Sequence, residues 1–183
     1  MIVIMSELAA YLRGLSSGKR TLSAGVQLFR AGEPVERIYL VLSGEVALER
    51  ISTGGNRLIL QRARAGDVVA EASYFANHYH CDAISMAKSE IASLSHSHLE
   101  AASHSDPGLM KIFARHVAKE LQQTRVRAEI LSLHKVSDKL DAWLLFHDGA
   151  LPDKGRRLML AHEIGVTPEA LYRELGRRRR TDR

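Results

Sequence analysis

Cysteine is almost absent: one residue in 183, Cys81, which excludes an internal disulfide framework and any metal site built from several thiolates. No apolar run approaches the roughly 20 residues that a membrane-spanning helix needs. The opening Met1-Ile2-Val3-Ile4-Met5 has no basic region before it and is too short for a secretory leader. These absences predict a cytoplasmic protein with no membrane partner. There is no long internal repeat, and no low-complexity stretch apart from one arginine run near the end. What is present is ordinary globular composition, 45% hydrophobic and 26% charged, which excludes wholesale disorder. The length suits one domain, or one domain with a small appendage.

The charge is unevenly placed. Eight arginines stand against Glu163, Glu169, Glu174 and Asp182 in the last 28 residues, so +4 of the formal +5 lies there. The excess marks either a polyanion-binding end on a neutral body or a solvated basic tail.

Pattern divides the chain in three. Leu8, Ala9, Leu12 and Leu15 predict a short amphipathic helix. From Gly18 to about Leu99, glycines punctuate short apolar runs such as Ile38–Leu42 and Val46–Leu48, which predicts an all-β sandwich or barrel. Ser43-Gly44-Glu45 and Thr53-Gly54-Gly55-Asn56 are expected to be hairpin turns. Asp106-Pro107 suits a helix cap and first position, and nothing breaks a helix from there to about Lys135. Met110, Ala114, Val117, Leu121, Thr124, Ala128 and Leu131 alternate spacings of four and three, the pattern of a dimeric coiled coil. Packing of this helix on its own β domain is the competing reading, with Ile112, Phe113 and Ile130 as a second apolar face. The predicted domains are 1–105, 106–135 and 136–183.

The last region carries the most specific signal. Val136–His147 reads as a helix stopped by Gly149. Leu158–Leu175 reads as a helix, a turn at Gly165, and a second helix capped by Thr167 with Pro168 at its first position. That is a helix-turn-helix unit, whose second helix presents its first residues to the major groove. Apolar Leu160, Ile164, Val166 and Leu171 would join the two helices. Glu169 and Arg173 share a face and suit cytosine and guanine edges respectively. Thr167, Ala170, Tyr172, Arg177 and Arg178 complete the predicted DNA surface, with Arg177 to Arg180 near phosphates. The plainer alternative is a helical hairpin in which Glu169 and Arg173 form an i,i+4 ion pair.

The order of these pieces resembles the Crp/Fnr family of bacterial transcription regulators. Gly32-Glu33-Pro34 precedes Ile38–Val46, then come Gly66-Asp67-Val68-Val69-Ala70-Glu71, the long helix and the helix-turn-helix, so the resemblance covers about Gly18 to Arg178. It implies an α+β chain: a jelly-roll (double-stranded β-helix) effector domain like those that bind cyclic nucleotides, a dimerising helix, and a C-terminal DNA-binding domain. It also implies that a signal at the β-roll reorients the DNA-binding domains, and that the chain is not an enzyme. The implied partners are double-stranded DNA, a second copy of the chain, a small-molecule effector and RNA polymerase. The effector pocket would involve Val69, Ala70, Glu71, Ala72, Cys81, Asp82 and Thr124.

Two departures shape the expectation. Where cyclic-nucleotide-binding members carry an arginine-serine pair that grips the phosphate, this chain has Cys81-Asp82. Loss of the bidentate guanidinium and gain of a carboxylate predict that cyclic AMP does not bind tightly; the cofactor is left unassigned. The sequence also stops where family members continue into a β-hairpin wing, so a truncated end is expected. His78, His80 and Cys81 are candidates for a haem, metal or redox sensor, but alternate strand residues cannot all face one ion. No His-x-His-glutamate spacing of cupin enzymes is completed, and no acid–base pair suggests catalysis. A β-roll ligand-binding or interaction protein that has lost specific DNA binding is the remaining alternative.

Overall fold

A computed structural model of the chain describes residues 6–181 apart from 17, 56 and 148. Met1–Met5, Asn56 of the second expected turn, and the final Asp182 and Arg183 therefore lie outside the described residues. The chain divides into two compact units, residues 1–118 and 119–183.

The first unit opens with α1 (Glu7–Leu15). Ser6 starts it by accepting the Ala9 amide at 3.1 Å, and of the predicted face Leu8, Ala9 and Leu12 are buried and Leu15 half-buried. The strands that follow are β1 (Lys19–Leu22), β2 (Gln27–Phe29), β3 (Arg37–Ser43), β4 (Glu45–Ile51), β5 (Arg57–Arg64), β6 (Val68–Val69), β7 (Asp82–Ser85) and β8 (Ser89–Ser95). They form two antiparallel sheets in the orders β1-β8-β3-β6 and β2-β7-β4-β5. Most consecutive strands fall in opposite sheets, which makes the unit the double-stranded β-helix that the sequence predicts. Phe29 lies between Tyr39 and Tyr79, with ring centroids 5.7 and 4.0 Å away. The Tyr79 hydroxyl donates to the Arg37 carbonyl at 2.7 Å, so the one polar atom of that ring is satisfied.

One expected turn is different in kind. Ser43-Gly44-Glu45 joins β3 to β4, which lie in different sheets, so it is a corner between sheets rather than a hairpin. Gly44 sits at φ +85°, and a Cβ there would lie 2.2 Å from Ser89 Oγ and 2.6 Å from the Lys88 carbonyl. Ser89 Oγ occupies that space and accepts the Glu45 amide at 3.1 Å. The second turn does close a hairpin, between β4 and β5.

Helix α2 (His96–Ser105) continues from β8. The strand pattern extended to about Leu99 does not anticipate it. Ser95 caps it through the His98 amide at 3.2 Å, and Leu99 is its one fully buried side chain. The long helix α3 (Pro107–Ser132) starts as predicted: Asp106 Oδ1 accepts the Gly108 amide at 2.9 Å. Its first half, through Leu109 and Phe113 with Met110, Ile112 and Val117, packs on the β-roll core.

The second unit comprises the rest of α3 with α4 (Val136–Leu145), α5 (Arg157–Glu163) and α6 (Pro168–Thr181). Ile130, Leu140, Trp143, Leu160, Ala161, Ile164, Leu171 and Leu175 form its core. Among the described residues no strand follows β8, and no helix is long and apolar enough to cross a membrane.

Candidate functional site

The helix-turn-helix is built as its sequence predicts. Helix α5 ends at Glu163, Gly165 takes φ +64°, and Thr167 Oγ1 caps α6 by accepting the Ala170 amide at 3.2 Å. Leu160, Ile164 and Leu171 are fully buried and join the two helices, with Val166 partly buried beside them. The turn is glycine for its left-handed backbone; a Cβ there would also displace the Leu131 side chain, whose Cδ2 would lie 2.5 Å away. Glu169, Tyr172 and Arg173 stand exposed on the outer face of α6, and Ala170 is half-buried. Among the described residues Glu169 and Arg173 form no ion pair with each other. The pairing that would make this an ordinary hairpin is therefore not made.

The arginine run that follows is not uniform. Arg177 is bidentate on Glu174, at 2.9 and 2.7 Å. Arg178 donates to Asp141 Oδ1 at 2.5 Å, Glu174 Oε1 at 2.8 Å and the Ser137 carbonyl at 3.0 Å. Both were expected at phosphates, yet the Arg178 guanidinium is taken up inside the unit, tying α6 to α4. The Arg177 bond, opposed by burial and reinforced by Arg178, lowers the Glu174 carboxyl from the usual 4.5 to about 2. Arg173, Arg179 and Arg180 remain exposed and make no ion pair among the described residues.

Lys139 is a second polar anchor on α4 that sequence pattern does not reveal. It is buried, and its ammonium donates to the Leu131 carbonyl at 3.3 Å and the Ile164 carbonyl at 3.1 Å. Those carbonyls end α3 and α5, where helices leave acceptors without intrahelical partners and a cation is favoured. The signal was available in retrospect: a lysine flanked by apolar Val136 and Leu140 on the inner face of a short helix.

In the β-roll, Val69, Ala70, Glu71 and Cys81 are buried, Ala72 is exposed and Asp82 is half-buried. Ala70 has φ +73°, a left-handed conformation uncommon for a residue with a Cβ, and it precedes a 3₁₀ turn over Glu71–Ser73. The Glu71 and Asp82 carboxylates both disfavour the Cys81 thiolate. The Asp82 carboxylate is engaged locally: its Oδ1 accepts the Ala31 amide at 2.8 Å. A cation that sequence reasoning missed is Arg50 of β4, which donates to the His80 carbonyl at 2.6 Å and draws the Cys81 thiol down. Burial prevails and pushes that thiol up, which leaves it a weak nucleophile and a weak metal ligand. His78 and His80 are exposed, and His80 Nδ1 lies 3.1 Å from Ser73 Oγ. Among the described residues no three His, Cys, Asp or Glu side chains gather as a metal site. Thr124 is exposed on α3, in the second unit.

A double-stranded β-helix followed in the chain by a long helix and a capped helix-turn-helix is the architecture these elements define. Comparison with known proteins agrees. The cyclic nucleotide-binding domain family matches residues 19–106. The global nitrogen regulator of Nostoc sp. is 26% identical over 197 aligned positions, covering 96% of this chain and 87% of that protein. The fumarate and nitrate reduction regulatory protein of Escherichia coli is 24% identical, covering 87% and 68% respectively. The solved structure of FixK2 from Bradyrhizobium japonicum superposes with a TM-score of 0.69 at 20% identity, over 90% of this chain and 85% of that one. These similarities agree with the resemblance to the Crp/Fnr family: both relatives are named as regulators, and the solved structure shares the fold.

Proposed function

We propose that this chain is a homodimeric, cytoplasmic, DNA-binding transcription regulator whose β-roll answers to an effector other than cyclic AMP. The observation that carries the DNA reading is the outer face of α6. Glu169, Tyr172 and Arg173 stand exposed on a helix whose other side is locked into a core. Arg173 would bond a guanine edge bidentately and Glu169 would accept from cytosine, while Arg179 and Arg180 supply sequence-independent attraction to phosphates. The Arg173→Ala variant is expected to lose about 1–3 kcal/mol on the preferred duplex and to relax base choice at the contacted position. Unchanged affinity for both preferred and random duplexes overturns the assignment.

Dimerisation is supported by a stripe along α3. Ala114, Leu121, Thr124, Ala128 and Leu131 are exposed, while Met110 and Val117 of the same heptad are half-buried against the β-roll. The effector reading rests on Cys81: a buried thiol cannot replace a guanidinium as the partner of a cyclic phosphate. In a regulator of this kind the effector must bind the two conformations of the dimer with different affinities, and RNA polymerase is a further partner.

A further inference from the structure

Within the DNA-binding reading, on which this inference rests, we propose that Arg178 and Asp141 are positioning residues that hold α6 at the angle needed to read bases, and not phosphate contacts. Three observations lead there. The Arg178 guanidinium meets three acceptors on two helices: Asp141 Oδ1 and the Ser137 carbonyl on α4, and Glu174 Oε1 on α6 itself. Its side chain is 27% exposed, against 61% for Arg177. Glu174, the acceptor it shares with Arg177, is buried.

Geometry explains why this pair matters for reading DNA. The apolar contacts of α6, through Leu171 and Leu175, fix its distance from the core but are non-directional. They leave rotation and sliding of the helix weakly determined. A planar fork fixes direction, because its donors satisfy several acceptors at once only in one pose. Arg178 sits five positions beyond Arg173, so a small rotation about the clamp moves the base-reading end. The run Arg177–Arg180 is thus divided: its first two members organise the helix through Glu174 and Asp141, and its last two face outward.

Asp141 gives a test whose sign separates the two roles. Removing an acidic charge from a DNA-binding unit strengthens binding if only electrostatics counts. If Asp141 positions α6, Asp141→Asn weakens it. The probes are the duplex that the full chain selects from a random pool and a scrambled duplex of the same composition, read by fluorescence anisotropy across a salt series. Asp141→Asn is expected to lose about tenfold on the selected duplex, lose less on the scrambled one, and leave the salt slope unchanged. Arg178→Lys keeps the charge and is expected to show the same loss. The double variant should be no worse than either single change. Arg179→Ala should lower the salt slope by about one on both duplexes with their ratio unchanged. Circular dichroism melting checks that each variant is folded, and Arg178→Lys carries the test if Asp141→Asn is not. Tighter binding by Asp141→Asn, or full retention by Arg178→Lys, overturns the positioning role alone. A selection that yields no preferred duplex overturns the DNA reading itself, and the clamp with it.

Discussion

Gly44 and Cys81 show opposite limits of what one residue can tell. At Gly44 the constraint is double: the backbone is left-handed, and the space a Cβ would take is filled by Ser89. A turn glycine is visible in the sequence, but the corner it makes depends on a strand 45 residues later. Gly44→Ala should therefore cost about 2 kcal/mol or more, read as a lower urea midpoint at unchanged slope. At Cys81 the sequence shows only that an arginine is missing. The structure adds burial, which pushes the thiol up in spite of Arg50 nearby. Native protein should be alkylated by iodoacetamide at neutral pH far more slowly than the unfolded chain. Equal rates in the two states would mean that the thiol is accessible and would reopen the redox alternative. Calorimetric titration with cyclic AMP should show no tight binding; a submicromolar complex would overturn the reading of the Cys81-Asp82 substitution.

Among the elements, α4 organises more than its ten residues suggest, because its polar side chains reach in two directions. Lys139 closes the carbonyl ends of α3 and α5, and Asp141 holds Arg178 of α6. Lys139→Met keeps the volume but orphans two helix-end carbonyls, so it should cost about 1–3 kcal/mol in chemical denaturation; a neutral outcome would mean that water replaces the ammonium. The Glu174 contribution has a definite pH window. Its carboxyl is held down to about 2 in the folded chain, against the usual 4.5. The stabilisation is therefore complete above the usual value and is lost as pH falls toward 2. Glu174→Gln should flatten the acid limb of the stability profile in that window while leaving its neutral-to-alkaline shape alone. A limb as steep as wild type would show that other carboxylates carry it. These features also mark how far sequence could see. Period and punctuation made α1, α3 and the helix-turn-helix legible, since Leu8, Leu12, Leu160 and Leu171 are buried where spacing puts them. Helix α2 was not legible, because it buries one leucine among serines and histidines and so carries almost no apolar period. Nor was the division of the arginine run: four adjacent arginines look alike until the positions of Asp141 and Glu174 are known.

At the scale of the whole molecule, the charge concentrated in the last 28 residues changes meaning once Arg177 and Arg178 are neutralised locally. Among the described residues of α6, the arginines that face outward without an ion pair are Arg173, Arg179 and Arg180, a small patch for one helix. A single short recognition helix with so few phosphate contacts binds DNA weakly, whereas two copies reading two half-sites combine their affinities. The proposed function is therefore served by a second chain, and the α3 stripe is the seam proposed for it. Leu121 and Leu131 are 49% and 43% exposed on a helix whose Leu109, Phe113 and Ile130 are buried in the cores of its own units. In the single chain, Leu121→Glu puts a charge on an exposed helix site and should leave folding nearly unaffected. In a symmetric seam the same change sets two carboxylates against each other in apolar surroundings, which opposes association strongly. Sedimentation equilibrium should find wild type at twice the 20.3 kDa of one chain and Leu121→Glu at the single mass. Gln123→Glu makes the same change of charge off the stripe and should stay at the double mass. If Leu121→Glu remains paired, the dimer uses another face of the molecule. If both variants dissociate, net charge is responsible and the stripe has no special role.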